Sequence, residues 1–221
     1  MKSRNWAIGE SVVVKPGVTD PDTGRDIGRW QGRISAILDE AGILTIRWDS
    51  LTLKNMPPAL LAWSEEEGLS WSEMNLSPEE VESVAARDTE DDVAAATAEL
   101  ESQTSWLYLG GEQGKRIQAI VNRAAGHSPL AVFRAWHAYL EEHLVFPFVA
   151  TVVEFQHGPV RQGARVSVLA ITFLDGTYGT IVAVKHKHGV NELPLCDLKA
   201  TEADTETRQL VEDYAVWFAN R

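Results

Sequence analysis

A few places in the sequence bring together residue types that could do chemistry. His186 and His188 lie two apart, so on a strand both face one side, a spacing that suits two ligands of a transition metal. No third ligand accompanies them, and the interleaved Lys185, Lys187 and Gly189 favour an exposed hairpin end. His137 and Glu141 form an i, i+4 pair, which suits a local hydrogen bond on a helix better than general-acid chemistry. The loop Asp20-Pro-Asp22-Thr-Gly24-Arg-Asp26 carries carboxylates at positions one, three and seven of a calcium-loop pattern. Arg25 and Gln31 stand where an EF-hand needs its glycine and its bidentate glutamate, and strands flank the loop, so it reads as a solvated hairpin tip. Cys196 is the single cysteine, which excludes an intramolecular disulfide; between Leu195 and Asp197 it reads as a packed thiol rather than a nucleophile. The sequence contains no nucleophile elbow, phosphate loop or zinc spacing, and no enzyme is expected.

The elements that would position these residues follow from periodicity. Ser128-Pro129 is a helix start, and Phe133, Trp136, Leu140 and Leu144 then form one apolar stripe with Arg134, Glu141 and Glu142 off it. Pro147 disfavours helix at Phe146, and Phe148 to Phe155 reads as a strand apolar on both faces. An earlier helix, about Glu112 to Ala125, shows Ile117, Ile120, Val121 and Ala124 on one side and ends at Gly126. Gly163 to Phe173 and Tyr178 to Lys187 are strands joined by the Asp175-Gly176 turn, with a short strand at Leu193 to Leu195 and an apolar terminal segment around Tyr214, Val216, Trp217 and Phe218 that should dock.

Towards the N-terminus, Ser11 to Lys15, Gly32 to Leu38 and Ile43 to Trp48 read as short strands around the turns DPDTG and DEAG, with Ile34, Ala36 and Leu38 alternating against Arg33, Ser35 and Ile37. From Pro57 to about Ser105 the texture changes: Ser77-Pro78-Glu79-Glu80 is a capping box that should start a short helix, the alanines at 94 to 96 and 98 suit a helix, and Glu65 to Glu67 and Glu90 to Asp92 are runs that stay solvated. This segment is expected to be an acidic, partly mobile connector.

The 221 residues, 44% hydrophobic, suffice for one or two domains with a sizeable core. No apolar run approaches a membrane span, and Met1 to Pro16 lacks the continuous apolar segment of a signal peptide, which points to the cytoplasm. The net charge of −12 is unevenly placed: residues 1–56 hold 8 Lys+Arg against 7 Asp+Glu, residues 57–105 hold 1 against 13, and residues 106–221 hold 11 against 12. Without a basic stripe, nucleic-acid binding is not expected.

Two resemblances organise these elements. FPF at Phe146–Phe148, followed by Ala150, Val152 and the pair Glu154-Phe155, then Tyr178-Gly179 with a β-branched run, LPLCDL at Leu193–Leu198 and DYAVWFANR at Asp213–Arg221, together resemble the cyanobacterial-type calcium-binding protein family (CcbP-like) over roughly residues 115–221. GRWQGRI followed by TIRWDS resembles the SH3-like barrel superfold over residues 6–60, a fold that by itself assigns no function. GARVSV in the C-terminal half also resembles GESVVV in the N-terminal half, which would fit two related barrels. The expected fold is therefore α+β: an SH3-like β-barrel at 1–62, an acidic helical connector at 63–105, and at 106–221 a CcbP-like domain whose helices pack on a short antiparallel sheet or barrel.

The CcbP-like resemblance implies a non-enzymatic protein holding Ca²⁺ with clustered carboxylates. Positions matching its acidic residues are Glu141 and Glu142, Glu154, Asp175, Asp197 and Asp213. Each has a plainer reading as a cap, a salt-bridge partner or a wet helix face. The pattern also has departures: where the family carries acids, this chain has Ala164 after Gly163, Gly176 beside Asp175, and His127-Ser128-Pro129 before the main helix. With 11 bases against 12 acids, the segment lacks a strong negative field, so binding should be weak. The alternative is a protein-interaction module with an SH3-like domain in which calcium binding has been lost, its contacts made by Trp6, Trp30, Trp48, Trp63 and Trp71; against this, the same tryptophans could simply fill cores.

Overall fold

Val12 and Val14 point inward on either side of the half-buried Val13, and this two-residue period makes Ser11–Val14 the first strand, β1. Gln31–Leu38 (β2) and Ile43–Trp48 (β3) follow as antiparallel neighbours. The computed structural model describes residues 5–38, 42–126, 128–155, 157–187 and 189–221, and the chain divides into two compact units, Met1–Gly110 and Gly111–Arg221. Most of the DEAG turn, His127 and His188 lie outside the described residues.

In unit 1, β3 is followed by two helices, Ser50–Lys54 (α1) and Pro58–Glu67 (α2), then by Glu73–Leu76 (β4), a 3-10 turn at Pro78–Glu80, Val81–Ser83 (β5) and the helix Glu90–Thr104 (α3). The strands form one antiparallel sheet in the order β4-β3-β2-β1-β5. Gly32 sits where only glycine fits, because a Cβ there would collide with the Arg47 carbonyl oxygen of the next strand. The core collects Ile34, Leu44, Ile46 and Trp48 from the meander, Leu76 and Val81 from the outer strands, and Val93 and Ala96 from α3.

Two expectations change here. The segment 63–105 is not a connector: it supplies both outer strands and a helix of unit 1. Its acids do not prevent this, because Leu76, Val81, Val93 and Ala96 turn inward while Glu90, Asp91 and Asp92 occupy the first turn of α3, where the helix dipole favours negative charge. The Ser77 capping box closes only the 3-10 turn, and it is the box of Thr89 and Asp92 that opens a helix. The alternation expected in β2 holds through Ala36 and Ile37 and fails at its last residue, Leu38, which is exposed although it falls on the inward side of the period.

Unit 2 starts with Gly111–Val121 (α4) and Pro129–His143 (α5), the second opened by the Ser128 hydroxyl, which accepts from the Ala131 N–H at 3.2 Å. The expected stripe is buried throughout: Phe133, Trp136, Leu140 and Leu144 all lie in the core. Phe148–Val152 (β6), Arg165–Asp175 (β7), Gly179–His186 (β8), Gly189–Pro194 (β9), a 3-10 turn at Leu195–Asp197, Leu198–Glu202 (β10) and Thr205–Asn220 (α6) complete it. The sheet order is β10-β6-β7-β8-β9, all antiparallel. The Asp175-Gly176 hairpin forms as expected and the terminal aromatics dock as α6. Strand β6 is shorter than its apolar run and buries one face only, Phe148, Ala150 and Val152; Phe155 beyond it is 64% exposed.

Both units thus share one topology: a four-strand meander, a 3-10 turn, and a fifth strand that returns to pair with the first. The GESVVV and GARVSV likeness does not mark this correspondence, since it matches the first strand of unit 1 to the second strand of unit 2.

Candidate functional site

The candidate calcium ligands are distributed over five places in unit 2. Glu141 and Glu142 stand on the exposed side of α5, where Glu141 Oε1 lies 3.6 Å from His137 Nε2 and Glu142 Oε2 lies 3.7 Å from both Arg123 Nη1 and His143 Nδ1. Glu154 is exposed in the bend after β6. Asp175 ends β7, and its Oδ1 accepts from the N–H groups of Thr177 at 2.7 Å and Tyr178 at 2.8 Å, which hold its carboxyl below the usual range. Asp197 closes the 3-10 turn before β10, with the Cys196 thiol donating to its Oδ1 at 3.5 Å.

Asp213 has a different role. Its side chain is 3% exposed and receives Arg116 through Nε at 2.6 Å and Nη2 at 3.0 Å, with Gln113 Nε2 donating at 3.0 Å. The hydrogen bond to Asp213 raises the Arg116 pKa above its ordinary value. Both oxygens of Asp213 are therefore committed to clamping α4 onto α6. Ca²⁺ needs six to eight oxygens. Among the described residues no group of three or more His, Cys, Asp or Glu is placed to hold a metal ion, so these carboxylates do not form a preassembled cage.

The other sequence candidates resolve into structural roles. His137 lies between Glu141 and Thr180, with Nδ1 3.2 Å from Thr180 Oγ1, and the Thr180 N–H donates to the Tyr214 hydroxyl at 2.8 Å. The order carboxylate, imidazole, hydroxyl is that of a nucleophile relay, but Thr180 is fully buried and no substrate reaches it. The network ties α5 and α6 to β8 beneath Gly179, whose φ of 74° and contact with the Tyr214 hydroxyl and the Phe218 ring admit no side chain. Burial pushes the Tyr214 phenol up to about 12. Burial, with Asp197 adding to it, likewise pushes the Cys196 thiol up to about 12, which makes it the unreactive packed thiol expected. His186 Nδ1 lies 3.2 Å from the Arg165 carbonyl oxygen. In the Asp20 loop, Asp20 is buried and its Oδ1 accepts from the Asp22 and Thr23 N–H groups, an Asx turn that uses the carboxylate to build the hairpin.

The tryptophans of unit 1 serve its core: Trp48 is buried edge-on to Trp30 with ring centroids 5.2 Å apart, and the Trp71 indole donates to Glu65 Oε1 at 2.7 Å. Sequence reasoning missed the polar side of the helices of unit 2. A cleft of about 230 Å³ there is walled by Arg116, Arg123, Tyr139, His143 and Glu206. Gln113 and Arg116 lie three apart on one face of α4, the only hint of a shared partner, and that partner stands 97 residues beyond Arg116.

Comparison with known proteins bears on the same half. No curated protein matches the chain. Two solved structures are similar to it: the crystal structure of Anabaena CcbP, at 23% identity and a TM-score of 0.41 over 49% of this chain and 89% of that one, and a calcium binding protein in its calcium-binding form, at 22% identity and a TM-score of 0.40 over 49% and 90%. Residues 117–218, nearly the whole of unit 2, match the model of the CcbP family, described as calcium binding.

Proposed function

We propose that unit 2 binds Ca²⁺ weakly and catalyses no reaction. The observation that carries this reading is the family match over residues 117–218. The weakness follows from the geometry: Asp213 is taken by Arg116, one oxygen of Asp175 by its turn, and Glu141, Glu142 and Glu154 are exposed and dispersed. A site assembled from such groups must order side chains as it binds, and each ordered side chain lowers the affinity. Calorimetric titration of the full chain with CaCl₂ at low ionic strength tests it. Weak saturable heat is expected, reduced by Asp175→Asn and by Asp197→Asn with the fold intact. No heat up to millimolar Ca²⁺ contradicts calcium binding by this chain.

A second reading, an interaction module in which calcium binding has been lost, is favoured by one feature. The strand order of unit 1, with a 3-10 turn before the fifth strand, supports the SH3-like assignment drawn from GRWQGRI and TIRWDS. Such folds commonly serve as binding platforms, and a partner held by residues 1–110 would support this reading.

A further inference from the structure

Beside the last strand of unit 2 runs a groove of about 530 Å³. One wall is Leu198, Lys199, Ala200 and Thr201 of β10. Successive strand residues point to opposite faces, so four in a row mean that the groove touches the backbone of the strand and not one face alone, and Val153 and Cys196 close one end of it. The other wall is a single stripe of α6: Arg208, Val211, Glu212, Ala215 and Val216, at helical spacing. Among the described residues, β10 is an edge strand with β6 as its one neighbour in the sheet.

The hydrogen-bond phase of β10 shows what that edge offers. The Val153 N–H donates to the Asp197 carbonyl oxygen at 2.8 Å, and Lys199 stands opposite Thr151 in the same register. In an antiparallel ladder every second residue turns its N–H and C=O towards the partner, so Asp197 and Lys199 face β6 while Leu198 and Ala200 face the groove. The Leu198 N–H is used by the Leu195 carbonyl oxygen. In this phase the Leu198 C=O and the Ala200 N–H and C=O point away from β6, while the Leu198 and Ala200 side chains are buried on the inner face of the sheet. Around them, Lys199 and Arg208 take part in no ion pair among the described residues, and Glu212 is the one acid in the walls.

We propose that an extended, acid-bearing peptide segment of a partner protein adds as a further strand to the free edge of β10. Its main chain bonds to Leu198 and Ala200, its alternate apolar side chains lie on Val211, Ala215 and Val216, and its acid sits beside Lys199 and Arg208. Strand addition draws affinity from the main chain and specificity from alternate side chains, which is what an edge facing an apolar helix stripe provides. The assignment is independent of calcium binding.

The probe is a fluorescein-labelled hexapeptide of alternating valine and threonine ending in a free aspartate, titrated against the full chain by fluorescence anisotropy. Saturable binding is expected, together with slowed hydrogen exchange at the Ala200 amide. Methylating alternate amide nitrogens of the peptide should weaken binding about tenfold or more, since it removes the ladder bonds. Ala215→Trp should block the groove, and Arg208→Glu, on the exposed flank of the helix, should lower affinity for the aspartate peptide while raising it for a lysine-ended one. Absence of binding, equal binding of the methylated peptide, or unchanged exchange at Ala200 overturns the proposal. So does self-association of the free protein that Ala215→Trp abolishes, which would make a second copy the occupant.

Discussion

Units 1 and 2 run their strands in the same order and close them with the same 3-10 turn and returning strand, yet they use charge in opposite ways. Residues 1–110 hold 9 Lys+Arg against 20 Asp+Glu, and residues 111–221 hold 11 against 12. The acidic half of the molecule is therefore not the half that matches the calcium-binding family. In unit 1 the acids sit at helix starts, on outer strands and in ion pairs that fasten the segment before α3: Arg87 grips the buried Asp49, and Arg33 pairs with Asp88 at 2.7 Å. In unit 2 the corresponding pair is Arg116 with the buried Asp213. Strand order alone thus places no ligands, and excess acid is as readily spent on fastening a fold as on holding a cation.

The largest effects should come from the paired aromatic cores. Trp48→Ala in unit 1 and Trp136→Ala in unit 2 remove fully enclosed indoles and should each cost about 4 kcal/mol, measured by denaturant unfolding. If the units fold separately, each variant lowers one transition and leaves the other in place; a single transition shifted by both would merge them into one cooperative body. Limited digestion with a glutamate-preferring protease sharpens the same point. Because β4 and β5 are strands of unit 1, Glu73 and Glu82 should resist cleavage, and early cuts there would restore the connector reading.

Next come the two clamps. Arg116→Ala strands a buried carboxylate and should destabilise unit 2 by roughly 3 kcal/mol, less than a fully buried pair would because the guanidinium is partly wet. Arg87→Ala should do less in unit 1, since the donor left to Asp49 is the fixed Thr52 N–H of α1 at 2.7 Å, whereas Asp213 keeps only the Gln113 side-chain amide at 3.0 Å. Equal losses in thermal unfolding would remove that distinction. A smaller effect, about 1 kcal/mol, is expected from Ser128→Ala, which uncaps α5 and leaves unit 1 untouched.

The smallest is in pH. Burial alone would raise the Asp88 carboxyl, but hydrogen bonds from Ser50 and Arg33 and the charge of Arg33 bring it below its ordinary value. A group depressed in the folded state adds stability that is full above its unfolded pKa, near 4, and is lost as the pH falls through the folded value. Acid titration of unit 1 should therefore steepen below about pH 4, and Asp88→Asn should flatten it; an identical profile in the variant would discard Asp88 as a contributor.

Much of this was legible in the chain. The stripe from Phe133 to Leu144, the Asp175-Gly176 hairpin and the family motifs rest on local spacing, and local spacing survives folding. The acidic middle was misread because β4 and β5 are only four and three residues long, too short to show a period, and their apolar members are diluted by Glu73, Asn75 and Glu82. The Leu38 error has a tertiary cause, since a period of two says which way a residue at the end of a strand points but not whether anything covers it. At the candidate site, the motif residues could be named but their partners could not. That Asp213 belongs to Arg116 and Gln113 is decided by how α4 packs on α6, across about a hundred residues.

The most direct test records thermal unfolding of the full chain with and without millimolar CaCl₂, following each unit by a tryptophan-substituted variant that reports on the other. A ligand that binds only the native state raises the stability of the unit that binds it. The account predicts that Ca²⁺ raises the transition of unit 2 and leaves that of unit 1 where it was. A shift confined to unit 1 would show that calcium follows the excess of acid rather than the family pattern, and would contradict the assignment.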